Sequence, residues 1–230
     1  GGLNYDANYW DRYIKKYTDL KNDVAISPDG KYLAKGKLGR VVRLWNFKEG
    51  KILKDLIGHD RVVLTMQFSK NGQYLLTGSA DNTAKLWDVQ TGEALVTYKG
   101  HREVIFSVAF SDDGKKIATG SWDGTAKIWD RETGKLITTL VFEQASPYQL
   151  KFVNNDIYLL AAQLDKTLKL WEVDSKKEVR NFIGHTDVIH SFDIHPGLPV
   201  IASTSWDGKI KIWDMNTGLQ SRRFSDHEGP

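Results

Sequence analysis

Three residue types that together could activate a nucleophile occur close together in the first half of the chain, as His59, Ser79 and Asp81. In a nucleophilic triad, a histidine takes the proton of a serine hydroxyl and an aspartate orients that histidine. The same set recurs as His101, Ser121 and Asp123, and again as His185, Ser205 and Asp207. An active site occurs once, whereas a structural motif recurs with a repeat. The recurrence therefore favours a structural role for these residues.

A repeat of 42 residues organises most of the chain. Five tryptophans mark it at equal intervals: Trp45, Trp87, Trp129, Trp171 and Trp213. Each follows a basic residue and Leu or Ile, and each precedes Asn, Asp or Glu. A Gly-His pair keeps the same phase at 58–59, 100–101 and 184–185, and Phe142-Glu143 takes its place in the fourth unit.

Within a unit, the apolar residues alternate with a period of two, which is the pattern of β-strands. In the second unit the predicted strands are about 63–68, 73–79, 83–89 and 93–98. Turn residues separate them, for example Asn71-Gly72 and Thr91-Gly92. Four short antiparallel strands in about 42 residues are typical of one blade of a β-propeller.

These motifs resemble the WD40 family, and the resemblance covers about residues 19–227. It implies an all-β fold, a WD40-type β-propeller with five four-stranded blades in this chain. The blades are predicted at about 19–57, 61–99, 103–141, 145–183 and 187–225. Residues 1–18 are predicted to form an N-terminal strand or extension.

The same resemblance implies that each His, Ser and Asp set is linked to the tryptophan of the third strand. Three structural tetrads would then be completed by Trp87, Trp129 and Trp213. Two units depart from this pattern. The first has Tyr17, Lys37 and Gly39 at these positions, and the fourth has Glu143 and Gln163 but keeps Asp165 and Trp171. Either these blades have drifted, or a partner or neighbouring chain supports them.

Two registers face the mouth of the channel at one end of WD40 propellers that resemble this chain. They carry bulky side chains in the third to fifth units, namely Phe106, Trp122, Tyr148, His190 and Trp206. Exposed aromatic residues are enriched at binding hot spots. We therefore predict that these five residues bind a partner. The alternative is that each ring packs on the loops of its own blade.

The ends of the repeat raise the question of ring closure. Tyr9–Ile14 falls in the register of an outermost strand, and the chain reaches Asp226-His227, where a further Gly-His pair would begin. This arrangement favours a segment of a larger ring, commonly seven-bladed in the family. The alternative is a ring closed at five blades with residues 4–17 packed outside it.

Composition limits the remaining chemistry. The chain has no cysteine, which excludes disulfides, cysteine-bearing zinc sites and thiol nucleophiles. His190 and His195 have no second His or Cys at metal-ligand spacing, so no metal site is predicted. No apolar run approaches the roughly 18 residues that a membrane span needs. We expect neither a cofactor, a small-molecule substrate nor a membrane contact, and we expect a cytoplasmic location with the nucleus as the alternative.

The function predicted from these features is a non-enzymatic scaffold for protein or peptide partners in a multi-subunit complex. One alternative is a subunit of an RNA-processing or ribonucleoprotein complex, because residues 1–60 contain 12 Lys and Arg against 8 Asp and Glu. The rest of the chain has a net charge of −1, since the whole chain carries +3 and this segment +4. A propeller hydrolase is a remote alternative.

Overall fold

Five antiparallel sheets of four strands make up the computed structural model, which describes residues 24–36, 40–142 and 145–224. Each strand pairs with the next one along the chain, so every sheet is a simple meander. The predicted all-β fold with five four-stranded blades is confirmed. The predicted extension at residues 1–18 lies outside the described residues.

The strands of the first two blades follow the expected spacing. Blade 1 contains β1 (Val24–Ile26), β2 (Tyr32–Gly36), β3 (Val41–Asn46) and β4 (Lys51–Ile57). Blade 2 contains β5 (Val63–Phe68), β6 (Tyr74–Ser79), β7 (Thr83–Asp88) and β8 (Ala94–Lys99).

The other three blades repeat this arrangement. Blade 3 contains β9 (Ile105–Phe110), β10 (Lys116–Ser121), β11 (Thr125–Asp130) and β12 (Leu136–Val141). Blade 4 contains β13 (Pro147–Val153), β14 (Tyr158–Gln163), β15 (Leu168–Glu172) and β16 (Lys177–Phe182). Blade 5 contains β17 (Ile189–Ile194), β18 (Val200–Ser205), β19 (Ile210–Asp214) and β20 (Gln220–Phe224).

The turn between the third and fourth strands shows how the sequence ends one strand and starts the next. In blade 3, Asp130 Oδ1 accepts hydrogen bonds from the N–H and the hydroxyl of Thr133. Gly134 follows with φ of 70°, in the left-handed region where a side chain is unfavourable, and its N–H donates to the carbonyl of Asp130. Blade 4 has Lys176 at this position, with φ of 58°. The fourth blade therefore adopts the left-handed conformation at this position without the glycine.

The hydrophobic core lies between the blades. Each sheet has a front face, which points to the preceding blade, and a back face, which points to the following one. The back face of blade 1 and the front face of blade 2 form one buried cluster. That cluster includes the back-face row Ala34, Val42, Leu44 and Leu56 and the front-face row Phe68, Leu75, Trp87 and Val89. Equivalent clusters join blades 2 and 3, 3 and 4, and 4 and 5.

Polar side chains of the inner strands also connect successive blades. The Leu150 N–H donates to Ser107 Oγ at 2.9 Å. Gln149 makes two bonds to the main chain of Phe192, at 3.1 and 3.2 Å. The inner strands of all five blades line a channel of about 510 Å³. The described residues contain no helix that is long and apolar enough to cross a membrane.

Among the residues that the structure describes, no blade covers the front face of blade 1 or the back face of blade 5. On the front face of blade 1, Ile26 is 50% exposed and Phe47 is 49% exposed. On the back face of blade 5, Phe224 is 51% exposed. The front face of blade 1 and the back face of blade 5 therefore do not cover one another. Residues 4–17, which the alternative of a closed five-bladed ring places outside the ring, are not among the described residues.

Candidate functional site

The three predicted His and Asp pairs are formed, and each is part of a buried hydrogen-bond chain. In blade 3, His101 Nδ1 lies 2.8 Å from Asp123 Oδ2 and His101 Nε2 lies 2.7 Å from Thr119 Oγ1. The indole N–H of Trp129 donates to the same Thr119 oxygen at 2.9 Å. If the histidine donates from Nδ1 and accepts at Nε2, every donor and acceptor along this row of hydrogen bonds has a partner.

Blades 2 and 5 have the same arrangement. His59 Nδ1 and His185 Nδ1 each lie 2.8 Å from the carboxylate of Asp81 and Asp207, respectively. The bridging oxygens, at 2.8 Å from both the histidine Nε2 and the tryptophan Nε1, belong to Thr77 in blade 2 and Ser203 in blade 5.

The expectation that Ser79, Ser121 and Ser205 are linked to the third-strand tryptophans is wrong, because Thr77, Thr119 and Ser203 accept the bonds from those indoles. These serines bind the loop that enters their own blade. Each donates to a loop carbonyl, that of Val62, Glu103 or Asp187, at 2.8–2.9 Å, and accepts from the N–H of the nearby aspartate at 3.1 Å. They hold the loop, while the residue two positions earlier makes the bridge.

Strand register explains the correction. Ser79 and Thr77 lie on the same face of β6, and Thr77 pairs with Lys85, two residues from Trp87. Ser79 lies two residues further along β6, and at about 3.3 Å per residue it is beyond the reach of the indole. Thr77, Thr119 and Ser203 recur in phase with the repeat just as the serines do, so spacing alone could not choose between the two sets. The register between the second and third strands distinguishes the two sets.

Hydrogen bonding keeps the aspartates of these networks ionised. Burial by itself would raise the pKa of the Asp123 carboxyl, but donors from His101, Thr125 and the Arg102 N–H outweigh it and hold the pKa well below its usual range. The pKa of the Asp81 carboxyl is lowered in the same way. In blade 5, burial lowers the pKa of His185 despite the opposing effect of Asp207.

This geometry does not suit a nucleophilic triad. The hydroxyl that each histidine meets is fully buried at Thr77, Thr119 and Ser203, and it already accepts a bond from tryptophan. A nucleophile has to reach its substrate, and these oxygens cannot. The His, Asp and Trp sets therefore fix loops to sheets.

The fourth blade lacks this network. Ala161 takes the place of the bridging hydroxyl, and the buried Trp171 Nε1 has no hydrogen-bond partner among the described residues. Gln163 Nε2, in the same part of the chain, is also buried and has no hydrogen-bond partner within the described ranges. Asp165 still accepts from the N–H and the hydroxyl of Thr167. Of the other departures from the repeat, Tyr17, Lys37, Gly39 and Glu143 lie outside the described residues.

Two of the five predicted partner-binding residues are stacked on each other. The rings of Phe106 and Trp122 have centroids 4.5 Å apart. Phe106 is only 9% exposed, because Trp122 and neighbouring aliphatic side chains cover it in a small cluster with Leu64 and Val104. The prediction that Phe106 is exposed is therefore wrong. Its ring supports Trp122, which is partly exposed.

The remaining three residues extend this surface toward blade 5. Tyr148 packs both against the cluster around Phe106 and against the cluster between blades 4 and 5. His190 is exposed and lies beside Trp206, with ring centroids 6.3 Å apart. Trp206 is 45% exposed. We call Trp122, Tyr148, His190 and Trp206, which are partly or fully exposed, the aromatic surface; the buried Phe106 supports it.

Comparison with known proteins places this geometry in a family. The model of the WD domain, G-beta repeat, matches residues 13–46, 50–88, 92–130 and 176–214, which is more than half of the chain. The unmatched stretch from 131 to 175 contains most of blade 4, where the bridging hydroxyl is missing. No curated protein matches the sequence.

Solved structures show the same fold. The computationally designed Ika8 protein, seen in a crystal structure, is 28% identical and superposes with a TM-score of 0.77, over 89% of this chain. The matched part is 62% of the Ika8 chain, so the present chain spans less than two thirds of its length. In all, 1810 solved chains match, and so broad a likeness identifies the fold without naming a partner. With repeat spacing, blade geometry and family model in agreement, the chain belongs to the WD40 repeat family.

Proposed function

We propose that this chain is a non-enzymatic scaffold that binds protein partners through the aromatic surface, as part of a multi-subunit assembly. WD40 propellers generally act as protein-interaction scaffolds and are typically not enzymes. The choice of the aromatic surface as the binding site, and the place in a multi-subunit assembly, go beyond this general role and are part of our proposal.

The observation that supports it most directly is the exposure of Trp206. Its indole is 45% exposed beside the exposed imidazole of His190. Tryptophan is among the residues most enriched at interface hot spots, because a large rigid ring can be buried at little conformational cost. Rigid strands on either side hold this ring at the end of the propeller, so it is available without rearrangement.

The charges of blade 1 favour a protein partner over RNA. Basic residues there suggested RNA from the sequence, yet several have acidic partners within the blade. Arg43 Nε lies 2.6 Å from Asp55, and Lys31 and Lys51 are 3.2 Å from Asp29 and Glu49. A cation that already has a carboxylate partner gains less from a phosphate, since counterion release drives much of nucleic-acid binding.

The test is a comparison of Trp206→Ala with Leu95→Ala. Leu95 lies on the outer strand of blade 2, away from the aromatic surface, and is 48% exposed. Partners captured by the tagged chain are identified by mass spectrometry, and the affinity of the most abundant one is measured with both variants. We expect Trp206→Ala to weaken binding by roughly 30-fold, or about 2 kcal/mol, while Leu95→Ala leaves it unchanged.

Thermal melts separate binding from folding. An exposed ring contributes little to stability, so both variants should melt close to the parent, within about 0.5 kcal/mol. Retained affinity together with a lowered melting temperature in Trp206→Ala would contradict the proposal. Trp122 is less suitable for this test, because its stacking on Phe106 also contributes to the fold.

A further inference from the structure

The uncovered faces of the terminal blades keep the residue types that form the internal interfaces. The internal pattern is clearest between blades 1 and 2. There, the back-face row Ala34, Val42, Leu44, Leu56 meets the front-face row Phe68, Leu75, Trp87, Val89. One repeat earlier, the uncovered front face of blade 1 has Ile26, Leu33, Trp45 and Phe47. Four repeats later, the uncovered back face of blade 5 has Ala202, Ile210, Ile212 and Phe224.

These two rows are more exposed than the equivalent rows of the internal interfaces, although they consist of the same types of residue. The back-face rows of blades 1 to 4 are at most 5% exposed, whereas the row of blade 5 is partly exposed throughout and reaches 51% at Phe224. On blade 1, Leu33 and Trp45 are partly exposed, although the equivalent Leu75 and Trp87 of blade 2 are fully buried. Apolar side chains of interface type are thus presented at both ends.

A second observation comes from the glycine turn between the third and fourth strands. At Gly92, Gly134 and Gly218, a side chain from the outer strand of the preceding blade lies against the turn, within 2.9 Å of where a Cβ would stand. Those side chains are Lys54, Val96 and Arg180. Gly50, at the equivalent place in blade 1, has nothing within 4 Å among the described residues. The residue of blade 5 in the register of Arg180 is Arg222, which is exposed.

The inner strands give a third match. Within the chain, the hydrogen bonds between the inner strands of successive blades join residue 107 to residue 150 and residue 149 to residue 192. The two residues of each pair are 43 positions apart. Continued beyond blade 5, this pattern pairs the side chain of Ser191 with the main chain of Val24, the register equivalent of Leu150. Inner strand, apolar rows and outer strand of blade 5 therefore all correspond to features of blade 1.

We propose that the chain self-associates head to tail, with the back face of blade 5 of one copy packed on the front face of blade 1 of a second copy. The contact would reproduce the internal interfaces, with Arg222 against the turn at Gly50 and Ser191 beside Val24. Because the two faces differ, the contact is heterologous, and it builds a closed ring or a longer chain according to the rotation between copies.

Two charge substitutions test the proposal. Ile26→Glu places a carboxylate on the front face of blade 1, and Phe224→Glu places one on the back face of blade 5. The parent chain should associate as its concentration rises in sedimentation velocity experiments. Each variant alone lacks one of the two required faces, so its self-association should weaken by about a hundredfold or more. Leu95→Glu, at a similarly exposed position outside both faces, should associate like the parent.

Mixing the two variants gives the decisive result. Ile26→Glu keeps an intact back face and Phe224→Glu keeps an intact front face, so the mixture should form a species of two 26.1 kDa chains and nothing larger. Circular dichroism melts verify that each variant is folded. A parent chain that stays monomeric at every concentration, a mixture that stays monomeric, or a variant that associates as well as Leu95→Glu would overturn the proposal.

Discussion

Single hydroxyl oxygens join the histidine and the tryptophan in three of the five blades. Thr119 is fully buried, and its Oγ1 accepts a hydrogen bond from Trp129 Nε1 and also pairs with His101 Nε2. Removing such an oxygen leaves two buried polar groups without a partner, and each unmet group costs about 1–3 kcal/mol.

We predict that Thr119→Val, which keeps the shape of the side chain, lowers the stability by at least about 2 kcal/mol. For a chain of this size, each kcal/mol corresponds to roughly 2–4 °C in melting temperature. Thr139→Val is the matched control, because Thr139 lies in the same blade and its hydroxyl only accepts from Lys127 Nζ at the half-exposed outer strand. Equal melting temperatures for the two variants would show that the bridging oxygen is dispensable.

The pKa shifts of these residues predict loss of stability in acid. Burial lowers the pKa of His185, so the unfolded chain takes up a proton first once the pH falls below about 6.5, and stability declines from there. The lowered pKa values of Asp81 and Asp123 act at lower pH: their stabilisation is complete above about pH 4 and is lost as the pH falls toward the folded pKa.

Melting temperatures measured between about pH 7 and pH 5 test the effect of His185 on the stability. His185→Gln should melt lower than the parent at neutral pH but should show a smaller decline over this range. If His185→Gln has the same slope as the parent, another group is responsible for the acid sensitivity.

Among single residues, the sequence predicted the His, Asp and Trp positions but not the hydroxyl or the burial of Phe106. Two sets of serine and threonine shared the repeat phase, and only strand pairing separates them. The burial of Phe106 depends on Trp122, Leu64 and Val104, which come from different strands and turns. The spacing of residues along the sequence does not show which side chains from different strands come into contact.

At the scale of elements, the turns of blade 4 are the irregular part of the fold. Asn154, Asn155 and Asp156 have φ of 53°, 53° and 67°, and Lys176 has φ of 58°, all in the left-handed region. A residue with a side chain costs about 1–2 kcal/mol there, although Asn and Asp tolerate it better than Lys. The missing glycines were visible in the sequence, and the structure shows that Asp156 and Lys176, at the glycine positions, still adopt a positive φ.

We predict that Lys176→Gly stabilises the protein by about 1 kcal/mol, because relief of the left-handed strain exceeds the added entropy of the unfolded chain. The melting temperature should rise by roughly 2–4 °C. Ser175→Gly, at the preceding turn position without a positive φ, should give no gain. A Lys176→Gly variant that melts at or below the Ser175→Gly variant would show that the turn is not strained.

For the whole molecule, the number and order of the blades could be predicted because one phase of 42 residues governs every strand. The relation of the ends could not, since it depends on which faces find a neighbour in space. The structure answers part of this by showing that the apolar rows containing Trp45 and Ile212 are partly exposed and have no neighbouring blade among the described residues. What stabilises a blade in this protein is therefore its neighbour as much as its own strands.

The equivalence of the blade interfaces also bears on how such a chain can change its length. Since successive blade interfaces are built from equivalent rows, duplication or loss of one 42-residue unit would join surfaces of the same type, and few new contacts would have to be selected. An insertion within a blade would instead disturb strands that are already packed. A gene built in this way is expected to lengthen and shorten in whole-repeat steps.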